Sequence, residues 1–476
     1  MLEQCSPQSV FSIFEQFSAI PHGSRNTSRA TAFCVDFARA HDLSCTSDEA
    51  GNVIIRKAAS AGYENAPTVI LQGHLDMVAA ADEGAPVCLE TDALDLFLDG
   101  DLIGARGTTL GGDDGIAVAM ILSILADNTL LHPALEAVFT TDEEIGMLGA
   151  DALDMSSLRG KYLLNLDSED EGVLTVSCAG GATAEITYPV CRETPVGGAL
   201  TLSLEGLSGG HSGVEIHKGR TNAVRFLASM LASLGMFYSF RLVSFTGGEK
   251  DNAIPVSATA TLLADKPDAF AAAARAYFDT RAEVVRATDP DATFTVKAGE
   301  AAPAIGEEDT RALLSMLTRI PCGVQRMSAD IEGLVQTSLN LGILRTTEDA
   351  LTVTYSVRSS VGSEKEALLA TIREEAARIG AVCRTEGDYP AWEYKKNSPL
   401  RDTVTRVYAD LYGREMKVEA IHAGLECGIF SDRIANLECV SLGPNMQDIH
   451  TTRERLSVSS VARTYDFVCA ILGALK

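Results

Sequence analysis

Short apolar runs over residues 69–72, 136–140 and 161–166 alternate with helical patterns along the first 176 residues; the clearest of these helical patterns is the stretch 115–126. Runs of this length, bounded by turn residues and separated by helices, predict buried strands of a largely parallel sheet in an α/β domain. Past Gly180-Gly181 the pattern changes. Amphipathic strands at 199–204, 258–264, 293–296 and 351–358 are interleaved with helices at 222–234 and along the alanine-rich 268–288, which reads as α+β. A helix at 400–412, an irregular glycine-bearing stretch at 424–428, a strand at 439–442 and a final helix at 459–475 then complete the chain.

The expected organisation is therefore one α/β domain in two pieces, residues 1–180 and 393–476, with a mixed, mostly parallel sheet. A separate α+β domain, 181–392, is inserted between them. Such insertions are common because domain termini often lie close together. A length of 476 residues allows two to four domains, and 46% hydrophobic with 22% charged residues is an ordinary globular balance that excludes disorder and fibrous repeats.

Charge narrows the choice of partners. Against 65 Asp and Glu there are only 39 Lys and Arg, for a formal charge of -26, and such a surface repels phosphate backbones and anionic lipid. Neither nucleic acid nor a membrane is an expected partner. Met1-Leu2-Glu3-Gln4-Cys5 has no basic leader, and no apolar run approaches the ~18 residues of a membrane span. Eleven cysteines without a CxxC pair fit reduced thiols, so the expected location is the cytoplasm.

Candidate chemistry gathers at the predicted strand ends. The first strand closes in His74-Leu75-Asp76, where period-two geometry sends both polar side chains to one face; with a metal on His74, Asp76 is placed to accept from the other ring nitrogen. Asp113 and Asp114 follow a glycine-rich turn and precede a helix, a position that also suits an N-cap needing no metal. Asp142-Glu143-Glu144 ends another strand. Three adjacent acids repel one another unless a cation or proton lies between them, and the same crowding raises a carboxylate toward the range of a general base; a solvated acidic turn is the alternative. Asp167 closes a further strand, and His450 arrives late, after a Gly-Pro turn. Imidazole and carboxylate donors without cysteine suit a hydrolytic zinc, manganese or cobalt site.

The segments His74-Leu75-Asp76-Met77-Val78, Gly111-Gly112-Asp113-Asp114-Gly115, Thr140 to Gly146, Leu163 to Asp170 and Asp448 to Glu454, with the insertion before the last, resemble the M20 metallopeptidases, and among them the aminoacyl-histidine dipeptidases. The resemblance extends to His22-Gly23-Ser24-Arg25, Gly209 to Gly213, Asp251 to Pro255 and His422 to Cys427. It implies a zinc-exopeptidase-like catalytic domain with an inserted lid domain, and two divalent metal ions, zinc with cobalt or manganese as alternatives. His74, Asp113, Glu144, Asp167 and His450 would be the ligands, with Asp113 bridging. The choice of Asp113 over Asp114 rests on that likeness alone. It further implies that Asp76 orients His74, that Glu143 is the general base, that His211 stabilises an oxyanion, and that Asn252 and Arg358 contact substrate. Arg358 suits a carboxylate, which guanidinium binds bidentately. Asp at 167 points to a free α-amine, hence to a small peptide as substrate.

The expected activity is hydrolysis of unblocked dipeptides, of the Xaa-His kind. An N-acyl amino acid amidohydrolase with the same metal core, and a metal-binding scaffold without turnover, are the alternatives. The insertion is long enough for His211 to serve its own active site or, in a homodimer, the partner's. His22, His41, His132 and His422 have no ligand-like neighbours in sequence and are read as structural.

Overall fold

The structure, a computed structural model, describes residues 1–476. The chain divides into two compact units. One comprises Met1–Cys178, Tyr394–Ala420 and Leu425–Lys476; the other comprises Ala179–Glu393 with the short return Ile421–Gly424, a return the sequence pattern does not announce.

The first unit is built on an eight-stranded mixed sheet in the order Ser44–Ser47, Val53–Lys57, Leu135–Thr140, Val69–His74, Tyr162–Asn165, Glu438–Ser441, Val173–Cys178, Lys417–Ile421. Its centre is parallel. Val69–His74 pairs in parallel with Leu135–Thr140 on one side and Tyr162–Asn165 on the other, and Glu438–Ser441 continues the parallel run. The Ser44–Ser47 and Val53–Lys57 strands join antiparallel at one edge. Val69–His74 and Leu135–Thr140 are buried at every position, as strands covered on both faces must be. The cover on one face is the helix Gly112–Ala126, apolar all round and buried from Gly112 to Leu125, packed between the Val69–His74 strand and the helix Gln8–Ser18.

This topology positions the candidate site. The chain passes from Val69–His74 to Leu135–Thr140 on one side and then crosses to Tyr162–Asn165 on the other, a reversal that opens a crevice at the carboxyl ends of the strands. His74 stands opposite Thr140, and Gln72 opposite Asn165, so the residues just beyond each strand emerge along one edge. The aspartates 113 and 114 reach that edge differently from the expectation. They head the Gly112–Ala126 helix and do not close a strand of this sheet; the nearest preceding strand, Leu102–Ala105, belongs to a separate four-stranded sheet with Leu96–Asp99, Arg455–Ser457 and Met446–Gln447.

The second unit carries a nine-stranded sheet. Its path runs Thr293–Ala298, Gly198–Glu205, Ala258–Ala264, Phe240–Gly247, Val335–Thr346, Ala350–Ser359, Gly180–Pro189, Val382–Tyr389, with Gly323–Met327 branching from Val335–Thr346. The helices Ala223–Leu234, Pro267–Asp279, Glu307–Arg319 and Gly362–Arg378 add Leu227, Phe270, Leu313 and Ile372 to the core of that sheet. The single helix expected over 268–288 is two, Pro267–Asp279 and Ala282–Thr288; Thr280 caps the first, and the Arg281 guanidinium stacks on Tyr277 at 3.7 Å in the break. The stretch expected to stay irregular to residue 428 becomes helical at Cys427–Arg433, because burying Ile429 and Phe430 favours a turn of helix there. No helix is long and apolar enough to cross a membrane.

One close approach matters for the site edge. Gly443 follows the Glu438–Ser441 strand, and a Cβ there would overlap the carbonyl oxygen of Ser168, the residue after Asp167. Gly443→Ala is expected to destabilise the first unit by about 1–3 kcal/mol, the usual cost of overpacking. Urea unfolding followed by circular dichroism measures it.

Candidate metal centre and active site

His74 ends its strand 1% exposed, and its backbone N–H donates to Asp114 Oδ2 at 3.1 Å. The ring is held at both nitrogens. Nδ1 lies 2.9 Å from the backbone carbonyl of Asp76 and 3.6 Å from the Asp76 carboxylate, while Nε2 faces Asp113 Oδ1 at 3.2 Å and Asp167 Oδ1 at 3.6 Å. The main chain of Asp76 thus makes the shorter contact with the imidazole. Its carboxylate accepts from the N–H groups of Glu143 at 2.9 Å and Glu144 at 3.3 Å, and from Ser24 Oγ at 2.8 Å, and so ties the acidic turn to the end of the His74 strand.

Asp113 lies between two imidazoles. Its Oδ1 faces His74, and its Oδ2 lies 3.0 Å from His450 Nε2, which in turn is 2.9 Å from Glu144 Oε1. The ligand atoms of His74, Asp113 and Glu144 lie within 4.8 Å of one another, as do those of His74, Asp114 and Asp167. The two aspartates are thereby distinguished: Asp113 faces both histidines, and Asp114, fully buried, turns toward the His74 main chain. Neither caps the helix. Gly111, in left-handed conformation, occupies the cap position, and both aspartates have non-helical dihedrals around a cis peptide bond. The donor set fits divalent cations, being imidazole nitrogen and carboxylate oxygen only. One of its oxygens, Asp114 Oδ1, is buried without a hydrogen bond.

Burial and then crowding govern the carboxyl proton affinities. Burial, then the negative charges of Asp167, Glu426 and Glu144, hold the Glu143 carboxyl well above its ordinary range. Burial with Asp113 and Glu144 pushes Asp167 up to about 6. His450, against Asp113 and Glu144, is raised to about 10; burial opposes a charge on His74, yet Asp167, Asp113 and Asp76 together raise it well above the usual imidazole value. The cluster therefore attracts positive charge, and a proton and a metal ion compete for the same lone pairs.

Two residues of this neighbourhood, Glu426 and Glu454, carry no role in the sequence reading, and a third, His22, has an expected structural one. Glu426, fully buried, accepts from Thr140 Oγ1 at 2.7 Å and from Gln72 Nε2, and Gln72 accepts from Asn165 at 2.6 Å, so a polar chain crosses the sheet one step behind His74. Burial pushes Glu426 up to about 7. Glu454 is bound to the loop that carries Asp113. His22, read as structural, lies buried on Phe17 at 4.6 Å with burial lowering it to about 4, and its Nε2 is close to Gly111. Motif spacing cannot announce the contacts of Glu426 and Glu454, because their partners are remote in sequence.

In the second unit, His211 and Asn252 come together through an antiparallel bridge between His211 and Ala253, with the Ser212 N–H donating to the Asn252 carbonyl at 2.8 Å. His211 Nδ1 accepts from the N–H groups of Gly213 at 3.1 Å and Val214 at 3.2 Å, which leaves the ring proton on Nε2. Burial and then Arg358 lower the His211 pKa, so the ring stays neutral. Arg358 reaches Tyr389 Oη at 3.0 Å, and its Nε is buried without a partner. His422, also expected to be structural, belongs to this unit, with Nε2 at 2.7 Å from Ser338 Oγ.

The family described as Peptidase family M20/M25/M40 matches residues 70–474. The chain is 34% identical to the cytosol non-specific dipeptidase of Escherichia coli K12 over 99% of its own length and 98% of that protein's. The crystal structure of aminoacylhistidine dipeptidase from Vibrio alginolyticus superposes with a TM-score of 0.94 at 34% identity, covering 100% of this chain and 98% of that one. The aminopeptidase PepT of Bacillus cereus shares the fold, with a TM-score of 0.58 at 15% identity over 99% of both chains.

Asp76→Ala leaves the two amides of the acidic turn without their acceptor. The expected loss is about 1–3 kcal/mol of stability, the cost of an unsatisfied buried donor, seen as a lower urea midpoint than wild type.

Proposed function

Because the chain belongs to peptidase family M20/M25/M40, we propose that it is a two-metal dipeptidase hydrolysing unblocked aminoacyl-amino acids, with histidine accepted at the carboxyl-terminal position. The observation that carries the reading is the carboxylate of Asp113, shared between His74 and His450, with Glu143 standing beside the cluster as a carboxyl of raised proton affinity. A purely structural metal site has no need of such a spare group.

In this reading His74 and Asp167 would hold one ion and Glu144 and His450 the other, with Asp113 contributing to both. Zinc is the proposed metal, with cobalt and manganese compatible with the same donors. When bound, the two cations supply Lewis-acid polarisation of the scissile carbonyl and lower the pKa of water. The chain's own residues do the rest. Glu143 takes a proton from the attacking water and delivers it to the leaving amine nitrogen as the C–N bond breaks, giving a free carboxylate and a free amine. His211, a neutral donor through Nε2–H, is assigned to the oxyanion, where a fixed donor lowers the barrier. Arg358 is assigned to the substrate carboxylate and Asn252 to a polar contact with the peptide. A cytoplasmic setting is part of the same proposal and keeps the eleven cysteines reduced.

Two measurements test the reading. Metal-reconstituted protein should release histidine from Ala-His and leave N-acetyl-His intact, and a chelator should abolish the release; cleavage of N-acetyl-His alone would make the protein an amidohydrolase. Glu143→Ala should keep its metal content, measured by mass spectrometry, and lose about 10²- to 10⁴-fold in kcat, the usual contribution of general acid–base catalysis. Full turnover in that variant would remove Glu143 from the mechanism.

A further inference from the structure

Glu454 lies four residues beyond His450 and is 3% exposed. Its carboxylate accepts from four successive backbone N–H groups: Oε2 from Leu110 at 2.7 Å and Gly111 at 3.1 Å, Oε1 from Gly112 at 2.8 Å and Asp113 at 3.3 Å. Four consecutive amides converge on one point only where the backbone leaves regular geometry. Here Gly111 is left-handed at φ 66, and Asp113 and Asp114 are non-helical. Such a run of amides is an anion cradle, and its anion is supplied by the chain itself. Gly112 lets the carboxylate approach, since a Cβ there would stand 3.1 Å from Oε1.

The other end of the link is the segment of His450. That side chain is 44% exposed and sits on a left-handed backbone at φ 62, so burial does little to fix it. Asp448, two residues earlier, is left-handed as well, at φ 50. Conformations of this kind persist only where the surroundings over-determine them. The segment is tied by Thr451 Oγ1, which donates to the Asp448 carbonyl at 2.7 Å, by Thr452 Oγ1, which donates to Asp82 at 2.6 Å, and by Glu454, buried in the cradle with its own N–H on the Thr451 carbonyl at 3.1 Å and the Arg455–Ser457 strand pairing onward to Leu102–Ala105.

We propose that Glu454 is a positioning residue of the metal centre, whose carboxylate clamps the Asp113 loop to the His450 segment and so sets the spacing of two ligands that face each other. The inference rests on the metal-centre reading given under Proposed function. A glutamine at 454 would turn an NH₂ group toward two amide donors, and an aspartate would fall one methylene short of the cradle.

The test is competitive titration of metal-free wild type, Glu454→Gln and Glu454→Asp with Zn(II) against a chromophoric chelator, alongside circular dichroism and kcat at limiting and saturating zinc. Both variants should fold and bind zinc about 10- to 100-fold more weakly, the range seen when groups supporting metal ligands are removed. Saturating zinc should recover part of the lost kcat. If the glutamine variant fails to fold, the aspartate variant carries the comparison. Wild-type zinc affinity in either folded variant, even with a lowered melting temperature, would overturn the clamp and leave the metal centre standing. Wild-type protein that takes up no zinc would overturn the metal centre and the clamp with it.

Discussion

The structure of the first unit depends on a concentration of negative charge that it must hold together. Asp113, Asp114, Glu143, Glu144 and Asp167 converge at the carboxyl ends of parallel strands, with His74 and His450 as the neighbouring cations. Two like charges 4 Å apart repel by about 4 kcal/mol at an effective dielectric of 20. Several such pairs in one crevice call for protons or cations between them, and the raised affinities of Glu143, Asp167 and both histidines express that demand. The same demand is what a divalent metal satisfies.

Rigidity comes from the apolar bodies of the elements whose ends carry the polar cluster. The fully buried helix Gly112–Ala126 and the two wholly buried strands beside it form a core whose packing leaves little freedom to the segments at its edge. Backbone amides then neutralise carboxylates in a second layer. Asp76 takes the two amides of the acidic turn, and Glu454 takes four from the Asp113 loop. Amide donors compensate buried carboxylates without adding mobile charge, which suits a site whose ligands must keep their spacing.

The inserted unit contributes a different kind of chemistry. His211 has its Nδ1 occupied by two amides and its proton therefore directed to Nε2, and burial and then Arg358 keep the ring neutral. A neutral donor and a guanidinium with an unpartnered buried nitrogen suit an oxyanion and a carboxylate, the two negative groups a dipeptide presents during hydrolysis.

Much of this was legible along the chain. Apolar runs ending in His74, in Asp142 to Glu144 and near Asp167 announce parallel strands with polar ends, because burial on both faces demands continuous apolar sequence and a parallel sheet puts the ends on one side. The change of pattern past Gly180 likewise marks a second unit. Other features were out of reach of periodicity. The break at Thr280, the helix at Cys427–Arg433 and the return Ile421–Gly424 depend on what each segment packs against. Adjacent aspartates look alike in sequence, yet one faces two histidines and the other faces a backbone amide. Local sequence determined which strands and which donor types this protein has, since those follow from hydrophobic pattern and side-chain chemistry. Only the tertiary structure decided which carboxylate meets which imidazole, and that Glu454 and Glu426 stand behind them, because those contacts join residues far apart in the chain and no local preference encodes them.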